Sequence, residues 1–373
     1  MKTADPELMR AINRFHVLDT IRRAGSIARV EIGVRTDLSS ATVSAITAAL
    51  IDDRLIAPRH VGGIRGASRG RPRVLLELNP GAARVVGIVM TPGQMVTTLT
   101  DFRGDVLAER AVAGATRPEP LAAVVERLAD GVLQCLGGAA LELSDLTAVA
   151  VALPGIVERG RGRVRSSCVL GDRDVMLADA LADRLGVPVI VEGDANAMTM
   201  AHHWFGDARD LDDVLLVLVD REIGLGVLHG GQLFRGAGGL SLNLGDLVLG
   251  ASFDPACDPA RLIGQAGSGA IRDDAAAGRA GEALGIAMAN LVTLFAPPRV
   301  LLVGATLAWG ENLLRPLRAA FERAVPAAIA GVCTISVGPV DTDRMGARGA
   351  AAVALCDLYG APWSTTGPAR ASR

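Results

Sequence analysis

The chain has 373 residues, half of them hydrophobic and only 3% aromatic. That length exceeds one ordinary core and fits two or three packed units, while the scarcity of aromatics argues against a surface that stacks the bases of single-stranded nucleic acid. The net charge of −2 hides an asymmetry: residues 1–80 hold 13 Lys+Arg against 8 Asp+Glu, about +5, so the remainder carries about −7. A basic head therefore precedes an acidic body, which points the head toward a polyanion. Cys135, Cys168, Cys257, Cys333 and Cys356 are scattered, without the short spacings of a disulfide framework or zinc site. The start lacks an apolar signal core, and no apolar run approaches the roughly 18 residues of a membrane span. A cytoplasmic protein that does not engage the membrane is expected.

In the head, Leu8, Ile12, Phe15, Leu18 and Ile21 recur at helical spacing, which predicts an amphipathic helix over 8–24 ended by Gly25. A second short helix is expected over 28–35, a turn over 36–38, and a third helix capped by Ser39 and running to about residue 53. This is the spacing of a helix-turn-helix. Residues 58–78, rich in Gly and Arg and ending in the strand-like Val74, Leu75 and Leu76, read as a wing.

In the third helix Val43, Ile46 and Leu50 are expected to face inward, leaving Ala41, Ser44, Ala45 and Ala48 outside. Such small side chains would let the helix sit deep in a major groove. The plain alternative is an Ala-rich helix that simply forms well. The wing favours the groove reading, because residues 54–73 contain six arginines and no acid. Arg69 and Arg71, flanking Gly70, suit insertion into a narrow A·T-rich minor groove. The expected contacts to double-stranded operator DNA are Ser39, Ser40, Ala41, Thr42, Ser44, Ala45, Arg69 and Arg71.

After the break at 79–81, strands are predicted over 85–90, 95–100 and 106–112, a helix over 121–136, a strand over 148–153, a helix over 177–185, a strand over 187–192 and a helix from 195. The same grammar restarts with strands over 214–219, 225–229 and 232–234, a helix over 282–295, a strand over 300–303, a helix from 312, a strand over 334–337 and a helix over 347–358. Two such lobes imply a cleft between them. The expected division is a head over 1–80, a first lobe over 81–200, a second over 201–345, a helix over 346–360 returning to the first lobe, and a disordered tail over 361–373.

The head followed by Ser-Arg-Gly-Arg-Pro at 68–72, together with the segments at 152–157, 192–197, 204–206 and 231–239, resembles the ROK (repressor, ORF, kinase) family, and within it the N-acetylglucosamine- and xylose-type repressors. The resemblance implies an α/β fold with an N-terminal winged helix-turn-helix and a two-lobed actin-like or hexokinase-like body. Some members are sugar kinases, and those with a winged head are transcriptional regulators controlled by sugars or sugar phosphates. It makes Asp194 the position that in a kinase accepts the proton of the sugar hydroxyl.

Departures from the family pattern are as informative. Val89, Met90, Thr91, Pro92 and Gly93 stand where kinases carry Asp-x-Gly-Gly-Thr, Asp220, Arg221 and Glu222 replace a Gly-Thr-Gly turn, and Gly304-Ala305 replaces a Gly-Gly pair. Phosphate cradles need those glycines, so no enzymatic activity and no cofactor are expected. The family's zinc-binding His is Asp246, and residues 251–269 hold a single Cys257, so no metal is expected either. His202 and His203 are adjacent and splay apart on a helix, which makes a poor metal site. In the sugar pocket the family's Asn, Glu and His are Gly193, Asn243 and Asp246. The candidate ligand residues are Pro154, Gly155, Asp194, Asn243 and Asp246, and a neutral sugar or polyol is favoured over a sugar phosphate because Asp246 would repel phosphate. The alternative is a vestigial pocket in which Asp194 only caps its helix. The expected protein is a homodimeric or homotetrameric regulator, most simply a repressor, whose paired heads read a pseudo-palindrome. A sugar kinase with a fused head, or a constitutive DNA-binding protein whose body only oligomerises, are the competing readings.

Overall fold

The computed structural model describes residues 6–60, 74–220, 222–245, 274–338 and 342–360. In the head, α1 (Pro6–Ala24), β1 (Ser26–Ala28), α2 (Arg29–Thr36), α3 (Ser40–Asp52), β2 (Ile56–His60) and β3 (Val74–Leu78) follow in order. The three strands form an antiparallel sheet in the order β1-β3-β2. That is the topology of a winged helix-turn-helix. Val17, Leu18 and Ile21 of α1, Ile32 of α2, Val43 and Leu50 of α3, and Leu76 of β3 are buried together, so the helical and strand periodicities converge on one small core.

The body is built from two sheets of the same topology. The first contains β4 (Arg84–Thr91), β5 (Gln94–Asp101), β6 (Val106–Ala113), β7 (Ala148–Leu153) and β10 (Val189–Gly193) in the order β10-β7-β4-β5-β6. The second contains β11 (Val214–Val219), β12 (Ile223–His229), β13 (Gln232–Phe234), β15 (Arg299–Val303) and β16 (Thr334–Val337) in the order β13-β12-β11-β15-β16, with the two-residue β14 (Leu242–Asn243) paired to β12. In each, the first three strands are antiparallel and the later two add in parallel beside the first.

Five layers result. The outer face of the first sheet, through Val86, Ile88 and Met90 of β4, packs on α4 (Leu121–Gly138) and α5 (Leu177–Leu185). The outer face of the second, through Leu215, Val217 and Val219 of β11, packs on α7 (Asp274–Phe295) and α8 (Glu311–Ala324). Between the sheets lie α6 (Asp194–Phe205) and α9 (Asp343–Leu358), in a cluster that also takes in the head. The alternate residues of the same strands, Val85 and Val89 or Val214, Leu216 and Leu218, supply this central layer. Helix α6 leaves the first sheet yet packs on β11 and β12, whereas α9 leaves the second and packs on β4, β5 and β7. The two helices cross each other between the lobes.

Several elements begin earlier than periodicity predicted. Helix α1 starts at Pro6, α6 at Asp194, α7 at Asp274 instead of 282, and α9 at Asp343 instead of 347. In α7 a β-carbon on Gly281 would fall 2.2 Å from the Leu313 carbonyl oxygen and one on Gly285 2.3 Å from that of Leu317, so these are sites where α7 and α8 touch backbone to backbone. A hairpin of β8 (Ile156–Glu158) and β9 (Arg163–Ser166) was not foreseen, because its strands are short and charged.

Candidate functional site

Two regions carry the residues singled out by sequence. The first is the outer face of α3. Ser39 caps it, its hydroxyl accepting from the Thr42 amide at 3.2 Å. Ser40, Ala41, Ser44, Ala45 and Ala48 are exposed, whereas Thr42 is half-buried with its hydroxyl 2.8 Å from that of Ser39. Ile46, expected inside, is only half-buried. Thr47 takes the inner position instead, its hydroxyl receiving the Arg29 guanidinium at 2.9 Å and donating to the Ser44 carbonyl. A polar residue inside was not legible from an apolar count. Arg69 and Arg71 lie outside the described residues.

The second region is a cavity of about 280 Å³, open to solvent, between the lobes. Gly155, Gly193, Asp194, Ala195 and Asn196 approach from the first, and Glu222, Gly224, Leu225, Ser241, Leu242 and Asn243 from the second. Three of the five predicted ligand residues, Gly155, Asp194 and Asn243, thus meet. Pro154 is buried and the lining begins at Gly155, which corrects that assignment: the chain turns inward at the proline. Asp246 lies outside the described residues.

Close approach shapes this cavity. Gly155 has φ +117°, and a β-carbon there would fall 2.1 Å from the Ser166 carbonyl oxygen. Ser241 ties the lobes across it, donating to the Gly155 carbonyl at 3.0 Å and accepting from the Val157 amide at 2.9 Å. A β-carbon at Gly193 would sit 2.8 Å from that of Ser241, so the room left by the missing side chain at 193 is filled from the opposite lobe. Asn243 accepts from the Gly245 amide at 2.8 Å through Oδ1.

Asp194 opens α6, with Gly193 as the cap, and its Oδ1 accepts from the Ala195 amide at 2.7 Å. Burial pushes its carboxyl up to about 7, against the Ala195 amide and with further repulsion from Asp220 and Glu222. Behind it, fully buried Glu192 accepts from the Gly193 amide at 3.0 Å and from Asn196 Nδ2 at 2.8 Å. Burial works against its ionisation, but Arg235 at 2.6 Å and Arg159 at 3.3 Å outweigh it and hold the carboxyl below the usual range. Arg159 in turn pairs with Asp357 of α9 at 2.6 Å. Sequence reading missed Asn196, Glu222 as a lining residue, and Ser241. Asn196 stands four residues after Glu192 and Ser241 two before Asn243, spacings that offered a signal.

A third acid is spent on backbone. Asp220 Oδ1 accepts from the Ala305 amide at 2.8 Å, at the start of the 3₁₀ turn Ala305–Trp309. Burial and Asp343 push Asp220 up to about 6.

The far end of α6 touches the head. The Arg22 guanidinium lies 4.3 Å over the Trp204 ring, Arg23 bonds Asp19 and Asp212 at 2.8 Å each, and Arg209 donates to the Arg23 carbonyl at 2.9 Å. His203 faces this cluster, 3.5 Å from Arg23, and burial with the nearby Arg22 and Arg23 pushes it down to about 4. Neither His202 nor His203 is among the residues lining the cavity.

Residues 85–258 match the ROK family. The chain carries a ROK family domain. A candidate xylose repressor of Caldicellulosiruptor sp. strain Rt8B.4 is 31% identical over 242 residues, 65% of this chain and 60% of that protein's length. The xylose repressor of Caldicellulosiruptor bescii is 26% identical over 353 residues, covering 83% of this chain and 87% of its own. Among solved structures, a ROK family transcriptional regulator described as a homologue of the E. coli MLC protein superposes with a TM-score of 0.73 at 20% identity, covering 95% of this chain and 98% of that one. The two chains thus share a fold across 95% of this one. Among the described residues no helix is long and apolar enough to cross a membrane.

The raised Asp194 carboxyl has a consequence for stability. Between its unfolded value near 3.8 and about 7, the folded protein holds the proton that the unfolded chain has lost, so this group's contribution falls as pH rises through that window. The advantage of Asp194→Asn over wild type is expected to grow by about 2 kcal/mol between pH 5 and pH 8, allowing for partial solvent access. Urea unfolding at the two pH values measures it; an advantage that does not change with pH rules out a buried, repelled carboxyl.

Proposed function

We propose that this chain is a cytoplasmic, DNA-binding transcriptional regulator, acting as a repressor, in which residues 1–80 read DNA and the cleft between the lobes (81–200 and 201–345) takes a small-molecule effector. The observation that carries the reading is the winged head with a small-residue recognition face, packed against the end of α6 of a ROK body. Relatives named as repressors support it. Ser39, Ser40, Ala41, Thr42, Ser44 and Ala45 enter the major groove, where their small size favours close backbone approach, and Arg69 and Arg71 enter the minor groove. Paired heads of a homodimer read a pseudo-palindrome.

The body is proposed to have no kinase activity. Asp220 supports this: its carboxylate occupies the Ala305 amide at the turn where the family resemblance would put a nucleotide, and a phosphate arriving there meets a carboxylate instead of a free donor. Asp194 alone, with a carboxyl near neutrality, is what favours the kinase alternative.

Coupling between cleft and head runs along α6. Its 12 residues span roughly 18 Å, with Asp194 in the cavity at one end and His203 and Trp204 against Arg22 and Arg23 at the other. A ligand that binds one lobe closure better than another tilts this rod and with it the head.

Three outcomes test these statements. Purified protein is expected to retard promoter DNA recovered from its own genomic binding sites; Ala45→Glu weakens this at least tenfold by placing a charge in the groove, and Arg71→Ala weakens it chiefly at A·T-rich half-sites. Failure to retard any recovered DNA, even at low salt, sinks the regulator reading. In a coupled ADP-release assay over a hexose panel no turnover is expected, and sugar-dependent turnover lost in Asp194→Asn establishes the kinase instead. By reciprocity, operator binding is expected to slow amide exchange across residues 194–205 in wild type but not in Arg23→Ala; equal protection in both removes the relay.

A further inference from the structure

The cleft's polar atoms are mostly acceptors, and one of them is buried without a partner. Asn196 is 1% exposed and lines the cavity, and its Oδ1 has no hydrogen-bond partner. The orientation of the amide is dictated from behind. Glu192 is ionised between Arg159 and Arg235, so it can only accept, and Asn196 must give it Nδ2. A flipped amide would set two oxygens face to face. The carbonyl oxygen is thereby left over, and a buried acceptor left unpaired is unfavourable until something donates to it.

The neighbouring groups do not answer it. The Ser241 hydroxyl donates to Gly155 and accepts from Val157, which uses its one proton. Asp194 and Glu222 bring carboxyl groups into the same lining, and Asp220 adds its repulsion on Asp194 from behind. A phosphorylated or carboxylated ligand meets like charge on both walls. A neutral polyol answers Asn196 but does nothing for the repulsion among Asp194, Asp220 and Glu222. An ammonium group answers both, since it carries three donors and makes charge-assisted bonds to carboxylates.

We propose that the effector is a protonated amino polyol, with the Asn196 carbonyl oxygen accepting a hydroxyl or ammonium proton and the Asp194 and Glu222 carboxylates facing the positive charge. Asn196 is then a ligand-contacting residue, and Glu192, with Arg159 and Arg235, is a positioning group that acts through it. The proposal rests on the cleft being the effector site.

Calorimetric titration of the full chain with glucosamine, glucose and glucose 6-phosphate, which share a ring and differ in charge, tests it. Glucosamine is expected to bind at least tenfold more tightly than glucose at pH 7, and glucose 6-phosphate to give no heat. Asn196→Leu is expected to lose at least tenfold in glucosamine affinity. Should that variant not fold, Asp194→Asn serves in its place, by collapsing the preference for glucosamine over glucose. Glucose binding as tightly as glucosamine, phosphate binding, or no heat from any of the three overturns the proposal. The reading beneath it is separable: if glucose or glucose 6-phosphate binds and Gly193→Leu, which drives a side chain into Ser241, abolishes that binding, the cleft remains the effector site and only the amine falls. If binding survives Gly193→Leu, the cleft reading falls as well.

Discussion

A β-carbon on Gly349 would lie 2.0 Å from the carbonyl oxygen of Ala197, and the rest of the architecture follows from that contact. It lets α9 and α6 cross with their backbones touching, which no larger residue on α9 would allow. Gly87 repeats the device on the other side of α9, where a β-carbon would fall 2.1 Å from the Ala347 carbonyl oxygen. Because α6 belongs to the first lobe by sequence and lies on the second sheet, while α9 does the reverse, each lobe grips a helix of the other. The lobes cannot separate without breaking the central core. The start of α6 therefore stays in the cleft and its end stays on the head.

Burying Glu192 beneath the cleft is costly in itself, since an ionised carboxylate taken from water needs partners of matching charge. It has two guanidiniums and two N–H donors. Arg235 comes from the second lobe and Arg159 from the β8–β9 hairpin of the first, and Arg159 is itself held by Asp357 on α9. Such a network adds little net stability over an apolar replacement. What it does supply is direction: one amide can point only one way, and the pieces that fix it come from both lobes. The same residues would register a change in lobe closure.

Much of this was legible in the chain. Continuous apolar runs such as 214–219 and 148–153 gave their strands to the residue, because both faces of those strands are buried and Val, Leu and Ala fill them. The Ser39 cap and the inward Val43 and Leu50 marked α3 correctly. Failures came where the apolar pattern is weak. The first turns of α7 and α9, rich in Ala and Gly in one and charged in the other, carry little apolar periodicity, so both helices were placed to begin late. The site was only partly legible for another reason. Asp194 and Asn243 stand out against the family pattern, whereas Asn196 and Ser241 acquire meaning from Glu192 and Gly193, partners that only the folded chain brings within reach.

Charge changes role along the molecule. In the head it is the arginines of residues 54–73, a stretch that holds no acid, that would meet phosphates. In the body acids stand at the two places where a kinase of this fold would welcome phosphate: Asp220 fills the Ala305 amide and Glu222 lines the cavity mouth. Carboxylates so placed exclude a nucleotide more firmly than the loss of glycines alone, since a missing glycine weakens a phosphate site whereas an added negative charge opposes it. They also leave the cleft with a field that favours a positively charged occupant. On the proposed reading, loss of phosphoryl transfer and recognition of a new effector would be consequences of the same substitutions, because the charge that repels the donor is the charge available to bind the ligand.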